Sequence, residues 1–253
     1  MKIYVAIAFI SLVGCVSAQC NIPPQYWCDS LSVAQKCGVE SACREFLNAE
    51  AAEPVNIELY FESLCPGCRQ FITTQLYPTW MSLKESGIMA ASMVPYGNAK
   101  EVQLSSGLWN YTCQHGAEEC VGNLIENCII HYSEDKFDTY FPILYCMEDA
   151  SDPIKAAEMC VKKSDLDWDQ IHTCSKGEQG NHLMHKSAMK TEALDPAHKY
   201  VPWIVANGKH TEGMQQEAQG NLLKFVCDTY TGAKPKECQS GIKFKQIVSF
   251  REM

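Results

Sequence analysis

Two cysteines three positions apart are the residues of this chain best suited to redox chemistry. They are the ends of the motif Cys65-Pro66-Gly67-Cys68. At the start of a helix, the first thiol would meet unpaired main-chain N–H groups and the positive end of the helix dipole, which favour a thiolate. Pro66 suits this first turn because its missing N–H needs no partner there. We therefore predict that Cys65 attacks a substrate disulfide and that Cys68 resolves the mixed disulfide. The alternative interpretation of this motif is a structural disulfide or half of a zinc site.

The elements that must position this pair are visible on both sides of it. Residues 55–61 alternate apolar and polar types and then run apolar, as in a strand that enters a core. Apolar residues then recur at helical spacing: Phe71, Ile72, Leu76, Tyr77, Trp80 and Leu83. Pro78 is expected to bend that helix. Residues 88–94 form the next predicted strand, followed by a turn at 95–98.

A proline at the start of a late strand is the second part of the predicted site. Pro202 lies near the start of the predicted strand 200–206, and thioredoxin-like folds place a cis-proline at such a strand start, facing the redox pair. The backbone before it would hold an extended substrate, with Pro66 and Gly67 lining the same site. Since Pro202 follows Cys68 by 134 positions, an α/β, thioredoxin-like fold needs a helical insertion between the two. Candidate helices within it are 134–146, 153–162, 166–174 and 180–194.

The end of the domain shows two further local patterns. Asn207-Gly208 is typical of a hairpin turn leading to a partner strand near His210. Residues 216–230 carry the apolar stripe of one amphipathic helix.

Cysteine content and the N-terminus both indicate the secretory pathway. An apolar run from Ile3 to Val16 follows Lys2, and cleavage before Gln19 would remove residues 1–18 as a signal peptide. Of the fifteen cysteines, Cys15 leaves with this segment, and twelve remain besides the redox pair, enough for six disulfides. Such density is typical of an oxidising compartment. The formal net charge of −9 offers no basic face for nucleic acid, and no later segment predicts a membrane span.

A small cysteine-rich module precedes the main domain. Residues 19–50 contain four cysteines expected to form two bridges among themselves: Cys20, Cys28, Cys37 and Cys43. Their spacing resembles a saposin A-type domain, and the resemblance implies a module that can be removed as a propeptide. A generic disulfide knot is the alternative. The predicted boundaries are 19–50 for the module, 54–231 for the thioredoxin-like domain and 232–253 for a basic, solvated tail.

The centre of the chain carries a longer motif with many fixed positions. It runs Cys113-Gln114-His115-Gly116-Ala117-Glu118-Glu119-Cys120-Val121-Gly122-Asn123-Leu124-Ile125-Glu126-Asn127-Cys128. This run resembles the signature of the gamma-interferon-inducible lysosomal thiol reductase family, Cys-Gln-His-Gly-x-x-Glu-Cys-x-x-Asn-x-x-x-x-Cys. The resemblance continues at 94–99 and 200–203. It places the family's redox cysteines on Cys65 and Cys68, and it implies reduction of protein disulfides in acidic endosomes and lysosomes.

The remaining candidate residues each have two interpretations. His115 lies among cysteines and could indicate zinc, but we expect structural disulfides from eight cysteines: Cys113, Cys120, Cys128, Cys146, Cys160, Cys174, Cys227 and Cys238. His182 and His185 are expected to be ordinary surface or core residues. Asn110 begins the sequon Asn-Tyr-Thr and is expected to carry a glycan.

A disulfide reductase is thus the function expected from the sequence. It would need no bound cofactor or metal and would be recharged by a small thiol such as cysteine or glutathione. Its partners would be disulfide-bonded proteins; its oligomeric state, and a lysosomal or extracellular destination, stay open. To work near pH 5, it would need the pKa of Cys65 lowered to about 5. The alternatives are a secretory-pathway oxidase or isomerase, and a secreted immune-modulating binding protein on the same scaffold.

Overall fold

A computed structural model describes residues 20–28, 30–43 and 52–239. The predicted signal peptide and the end of the predicted tail, from residue 240, lie outside the described residues. The chain divides into two compact units, Met1–Ala51 and Ala52–Met253. Among the described helices, none has both the length and the apolar character that crossing a membrane would require.

The N-terminal unit is small and held by disulfides. A 3₁₀ turn at Pro24–Tyr26 precedes helix α1, Leu31–Lys36. Ser30 caps α1 because its side chain accepts a hydrogen bond from the Val33 N–H. The expected pairing among the four cysteines of this module is present, as Cys20–Cys37 and Cys28–Cys43.

The second unit contains five strands and ten helices within residues 52–239. The strands are β1 Val55–Phe61, β2 Met89–Pro95, β3 Lys100–Gln103, β4 Trp109–Thr112 and β5 Trp203–Ala206. The helices before the insertion are α2 Pro66–Phe71 and α3 Tyr77–Leu83. The insertion contributes α4 Ala117–Tyr132, α5 Phe137–Asp149, α6 Pro153–Lys162, α7 Trp168–Lys176 and α8 Glu178–Glu192. The last helices are α9 Glu212–Gly220, α10 Leu222–Thr229 and α11 Lys236–Gln239.

A three-stranded sheet with β1 at its centre carries the redox motif. Strand β2 pairs with β1 in parallel and β5 pairs antiparallel, giving the order β2-β1-β5. Val55, Ile57 and Leu59 alternate along β1 and so line one face of the sheet, where they are at most 1% exposed. The strand ends four residues before Cys65, and α2 begins at Pro66. This order of elements confirms the predicted thioredoxin-like fold with its helical insertion.

The helix after the redox motif changes its hydrogen-bond pattern where a bend was predicted. A π-helical turn, Ile72–Leu76, joins α2 to α3, and the Tyr77 N–H donates to the Ile72 carbonyl five residues earlier. The turn lies just before Pro78 rather than at it. A proline has no N–H and its ring crowds the carbonyl four residues earlier, so the preceding turn widens.

Two disulfides join helices of the insertion to one another. Cys128–Cys174 links α4 to α7, and Cys146–Cys160 links α5 to α6.

The helix predicted from residue 134 begins later, at Phe137. Glu134 and Asp135 have φ of 56° and 58°, a left-handed conformation that a right-handed helix cannot include.

The prediction for the end of the domain needs two corrections. After the turn at Asn207 and Gly208, the chain forms only one isolated bridge, Ala206 to Lys209, instead of a partner strand. The single helix predicted for 216–230 is broken, since Asn221 accepts a hydrogen bond from the Lys224 N–H and starts α10.

The hairpin of β3 and β4 was not predicted, because its short strands are mostly solvent-exposed.

The predicted tail is partly structured. Cys238 in α11 forms a disulfide with Cys227 in α10, so this part of 232–253 is held to the domain. Residues 232–238 are nevertheless exposed or half-buried, so this part of the predicted tail is solvated as well as tethered.

The disulfide that closes the longest loop should contribute most to stability. Cys128–Cys174 spans 46 residues and Cys113–Cys120 spans seven. Loop-closure entropy assigns about 4 kcal/mol to the former and about 2 kcal/mol to the latter. Replacing Cys128 and Cys174 by alanine should therefore lower the free energy of unfolding more than the matched double replacement of Cys113 and Cys120. Urea denaturation without reductant measures the difference. Equal losses would contradict the loop-length argument.

Candidate active site

The two cysteines of the redox motif occupy different positions at the start of α2. Cys65 is the N-cap residue, and its sulfur accepts a hydrogen bond of 3.3 Å from the Cys68 N–H. Its thiol also lies 3.8 Å from the Val201 carbonyl oxygen, to which it can donate. Both thiols are unpaired and buried, Cys65 at 7% exposure and Cys68 at 0%.

This arrangement separates the acidities of the two thiols. A hydrogen bond from the Cys68 thiol lowers the pKa of Cys65 to about 6, and the N–H groups of Cys68 and Gly67 act in the same direction against burial. Burial raises the pKa of Cys68 well above its ordinary value, and the neighbouring sulfur of Cys65 adds to this. The pKa of Cys65 is thus one unit above the value of about 5 expected from the sequence.

Pro202 lies beside the redox motif, as predicted. The Val201–Pro202 peptide bond is cis, and a Cβ placed on Gly67 would lie 3.5 Å from Pro202 Cδ. Gln215 of α9 holds this strand start: its Nε2 donates to the Pro202 carbonyl, and its Oε1 accepts from the Ile204 N–H, both at 2.9 Å.

A group of three titratable side chains lies next to the thiols. Glu62 is fully buried, and its Oε2 accepts a hydrogen bond of 2.8 Å from the Asn98 N–H. His115 Nδ1 lies 3.4 Å from Glu62 Oε1 and 2.5 Å from Glu119 Oε2. Burial, aided by the charges of Glu119 and Cys65 and opposed by the Asn98 N–H and His115, raises the pKa of Glu62 to about 7. Partial burial lowers the pKa of His115, but the hydrogen bond and charge of Glu119 outweigh it and raise that pKa.

The carboxylates of a second group face each other deeper in the core. Glu126 of α4 and Glu148 of α5 are at most 1% exposed. Burial raises the pKa of both, and the charge of Arg69 partly opposes this at Glu148. Arg69 also donates from Nε and Nη2 to the Glu148 carbonyl, at 3.1 and 3.0 Å. This pair therefore holds protons rather than two negative charges.

Comparison with known proteins identifies the family. A family model described as gamma interferon inducible lysosomal thiol reductase matches residues 56–164. The gamma-interferon-inducible lysosomal thiol reductase of Carassius auratus is 44% identical over 241 residues, covering 94% of this chain and 92% of that one. The chain belongs to the gamma-interferon-inducible lysosomal thiol reductase family. The protein of the same name from Mus musculus is 40% identical, covering 74% of this chain and 73% of its own. Among solved structures, Chlamydia trachomatis DsbA has a TM-score of 0.46 at 12% identity, covering 67% of this chain and 86% of that chain.

Residues of the family signature connect α4 to the loop that precedes Cys65. Asn123 Oδ1 accepts a hydrogen bond of 2.9 Å from the Ser63 N–H, and Ser63 Oγ donates to the Glu119 carbonyl at 3.1 Å. A Cβ on Gly122 would lie 2.3 Å from Ser63 Oγ, so only a glycine permits this approach. The signature cysteines are bonded in disulfides, Cys113–Cys120 and Cys128–Cys174, and the zinc interpretation of them is wrong.

The other predicted residues lie away from the thiols. Asn110 is exposed on β4, as a glycan would require. His182 and His185 do not share a site: His182 Nδ1 is 2.7 Å from the Glu178 carbonyl, whereas His185 Nδ1 is 2.7 Å from Glu101 Oε1. His185 also stacks on Trp109, with ring centroids 3.9 Å apart.

Sequence reasoning missed the carboxylates around the thiols. Glu119 could have been found, because it is a fixed position of the signature four residues after His115. Glu62 carried no such signal, since it stands outside the quoted motifs. Its contact with His115 joins residues more than fifty positions apart, which no local pattern reveals.

A glycine opposite Glu62 provides a test of this packing. Gly97 has φ of +61°, and a Cβ there would lie 2.5 Å from Glu62 Oε2. Gly107 has φ of +86° with nothing within 4 Å of a Cβ, so Gly107→Ala reports the backbone cost alone, about 1 kcal/mol. We expect Gly97→Ala to lower the free energy of unfolding by about 1–2 kcal/mol more, because a buried carboxylate must move. Urea denaturation of both variants measures this. Equal losses would show that Glu62 moves aside freely.

Proposed function

We propose that this protein is a thiol–disulfide oxidoreductase that reduces disulfides of protein substrates through Cys65 and Cys68. The difference in acidity between the two thiols supports this most directly. Cys65, with its pKa near 6, is substantially ionised at mildly acidic pH, whereas Cys68 keeps its proton. Only the thiolate is a nucleophile, so Cys65 attacks and Cys68 resolves.

The reaction proceeds in two exchanges. The Cys65 thiolate attacks one sulfur of the substrate disulfide, a Cys65–substrate bond forms, and the other substrate sulfur leaves as a thiolate. Cys68 then loses its proton and attacks the Cys65 sulfur, releasing the second substrate thiolate. The enzyme dithiol is oxidised to a disulfide by two electrons, and the substrate disulfide is reduced to two thiols.

An extended substrate segment would bind beside Pro202. The Val201 carbonyl faces the Cys65 sulfur at 3.8 Å, so the backbone before the proline lies where a substrate disulfide must come. Gln215 keeps this backbone in place from α9. Pro202, Pro66 and Gly67 thereby act as substrate-supporting residues in this proposal.

The disulfides and the names of the relatives support a proposal for the working environment. The relatives from Carassius auratus and Mus musculus are named lysosomal thiol reductases, and the six bridges among the described residues suit an oxidising compartment. We propose synthesis through the secretory pathway with a cleaved signal peptide, a glycan at Asn110 and action in a lysosome or outside the cell. The N-terminal module would act as a removable saposin A-type propeptide. A small thiol such as cysteine or glutathione would supply the electrons, without a bound cofactor.

Replacing each cysteine should separate the two roles. Cys65→Ser should abolish insulin reduction, because no thiolate remains to attack. Cys68→Ser should instead accumulate mixed disulfides with the substrate, because resolution is blocked. Non-reducing gels and an insulin turbidity assay at pH 5 and pH 7 measure both. Trapping by Cys65→Ser and not by Cys68→Ser would reverse the assignment.

The acidity of Cys65 also favours a second candidate, an oxidase or isomerase. Stabilising the thiolate stabilises the reduced enzyme, and this makes the disulfide form a stronger oxidant near neutral pH. The stabilisation is full above the ordinary thiol pKa and is lost as pH falls through about 6. Relative to free cysteine, the enzyme is therefore a better reductant in acid.

This linkage predicts how the redox equilibrium depends on pH. Reduction of the Cys65–Cys68 disulfide by free cysteine releases a proton wherever Cys65 is ionised and cysteine is not. The equilibrium constant should rise about tenfold per pH unit between about 6 and 8, and it should level off below 6. Quantifying both enzyme forms in cysteine–cystine buffers measures it. An equilibrium constant that stays flat from pH 5 to 8 would contradict a Cys65 pKa near 6.

A further inference from the structure

Two buried carboxylates share one histidine in the cluster beside the redox motif. The side chains of Glu62 and Glu119 are both 0% exposed. Within the described residues, neither forms an ion pair with a lysine or an arginine, and both have His115 as their cationic partner. Two carboxylates thus face at most one positive charge. Burial of negative charge is costly unless a proton or a further cation balances it.

Each carboxylate is held through one oxygen and presents the other to the ring of His115. The held oxygens are Glu62 Oε2, which accepts from the Asn98 N–H at 2.8 Å, and Glu119 Oε1, which accepts from the His115 N–H at 3.2 Å. The presented oxygens are Glu119 Oε2, 2.5 Å from His115 Nδ1, and Glu62 Oε1, 3.4 Å from it. Glu62 Oε1 is buried and has no hydrogen-bond partner within the described residues. It is therefore an acceptor aimed into the cluster with no donor to satisfy it.

The presented atoms form a donor set that a metal ion could bind. One imidazole nitrogen and two carboxylate oxygens lie within 4.8 Å of one another. In a tetrahedral zinc site with bonds of about 2.0–2.1 Å, neighbouring ligand atoms lie about 3.3 Å apart. The distance of 3.4 Å between Glu62 Oε1 and His115 Nδ1 already meets this spacing. The contact between His115 and Glu119 would have to widen by about 0.8 Å, and the ring has room for this because 34% of the His115 side chain is exposed.

The scaffold holds these three residues in place. The disulfide Cys113–Cys120 closes a short loop that contains both His115 and Glu119. On the other side, Gly97 packs so closely that a Cβ there would lie 2.5 Å from Glu62 Oε2. Carboxylates that bind metal ions are likewise held by hydrogen bonds from the surrounding protein. The donor set is therefore organised before any ion binds.

We infer that Glu62, His115 and Glu119 form a binding site for one divalent transition-metal ion, with Zn²⁺ as the best match. Imidazole and carboxylate ligands suit Zn²⁺, whereas Ca²⁺ and Mg²⁺ prefer six or more oxygen ligands. Three protein ligands leave a fourth position for water. This site uses none of the signature cysteines, and the thiol exchange proposed above does not require the ion.

A bound ion would connect the loop that precedes Cys65 to the insertion. The Glu62 carbonyl accepts a hydrogen bond of 3.2 Å from the Cys65 N–H, whereas Glu119 lies in the first turn of α4. An ion bound to both side chains would cross-link these segments. Because the three donors meet only in the folded chain, the ion would also stabilise the fold.

The oxidised protein, produced through the secretory pathway, gives the cleanest test. Its Cys65–Cys68 disulfide leaves neither motif thiol free to bind zinc. Metal-free protein is titrated with ZnCl₂ at pH 7 by calorimetry, and we expect one ion per chain. His115→Gln and Glu119→Gln should each weaken binding by about 10²-fold or more, because loss of even an outer partner of a metal ligand costs about 10–100-fold. Titration with CaCl₂ should give no comparable binding.

Two matched controls make this result specific. His185 Nδ1 lies 2.7 Å from Glu101 Oε1, a histidine–carboxylate contact outside the cluster, and His185→Gln should leave the affinity for Zn²⁺ unchanged. Glu118→Gln changes an exposed neighbour of Glu119 in α4 and should also bind as the wild type does.

Replacement of Zn²⁺ by Co²⁺ gives a readout that a merely structural role would not change. Tetrahedral Co²⁺ absorbs strongly in the visible range, and thiolate ligands add a sulfur-to-metal charge-transfer band at shorter wavelength. The oxidised wild type should show the first absorption without the second. His115→Gln should lose the visible absorption while its far-ultraviolet circular dichroism stays that of the wild type.

Several outcomes would overturn the inference. One is a wild type that binds no Zn²⁺, and another is an affinity that neither His115→Gln nor Glu119→Gln lowers. Binding that appears only after reduction would assign the ion to Cys65 and Cys68 instead. Glu62→Gln should weaken binding as well; if it does not fold, the half-exposed His115 still decides through His115→Gln. The oxidised protein performs no reduction in these measurements, so failure of the insulin assay would reject the proposed function and leave the metal site standing.

Discussion

The stabilisation of one thiolate at the first turn of α2 is the interaction on which this structure depends. Main-chain N–H groups and the Cys68 thiol direct their hydrogens at the Cys65 sulfur. They can do so only because β1 ends just before the motif and fixes where the helix begins. The central position of β1, with a strand on each edge, makes that end rigid. The acidity of Cys65 is therefore a consequence of sheet topology as well as of the two cysteines.

The insertion completes this site rather than merely covering it. Its first helix, α4, brings Asn123 to the Ser63 N–H and Glu119 to His115. Arg69 of α2 donates to the Glu148 carbonyl near the end of α5. The start of α2 and the residues before it are thus held by contacts with the insertion, which explains why a signature so far from the redox motif accompanies it.

The sequence predicted the parts of this arrangement that depend on local rules. The redox motif, its strand and helix, the cis-proline and the helix 153–162 follow from short-range spacing and from resemblance. The burial of Glu62 against His115, and the break at Asn221, do not. The first joins distant segments, and the second is decided by a cap whose hydrogen bond competes with a continuous amphipathic stripe. Tertiary contacts of this kind leave no periodic pattern in the amino-acid sequence.

A protein that cleaves disulfides must keep its own structural disulfides intact. An attacking thiolate needs access to a sulfur along the bond that breaks. In the bridge between α4 and α7, Cys128 and Cys174 are 0% and 3% exposed. A thiolate from a second enzyme molecule or from any small thiol cannot approach such a bridge while the helices stay packed. The packing of the insertion therefore shields its own disulfide from the exchange chemistry that takes place at Cys65.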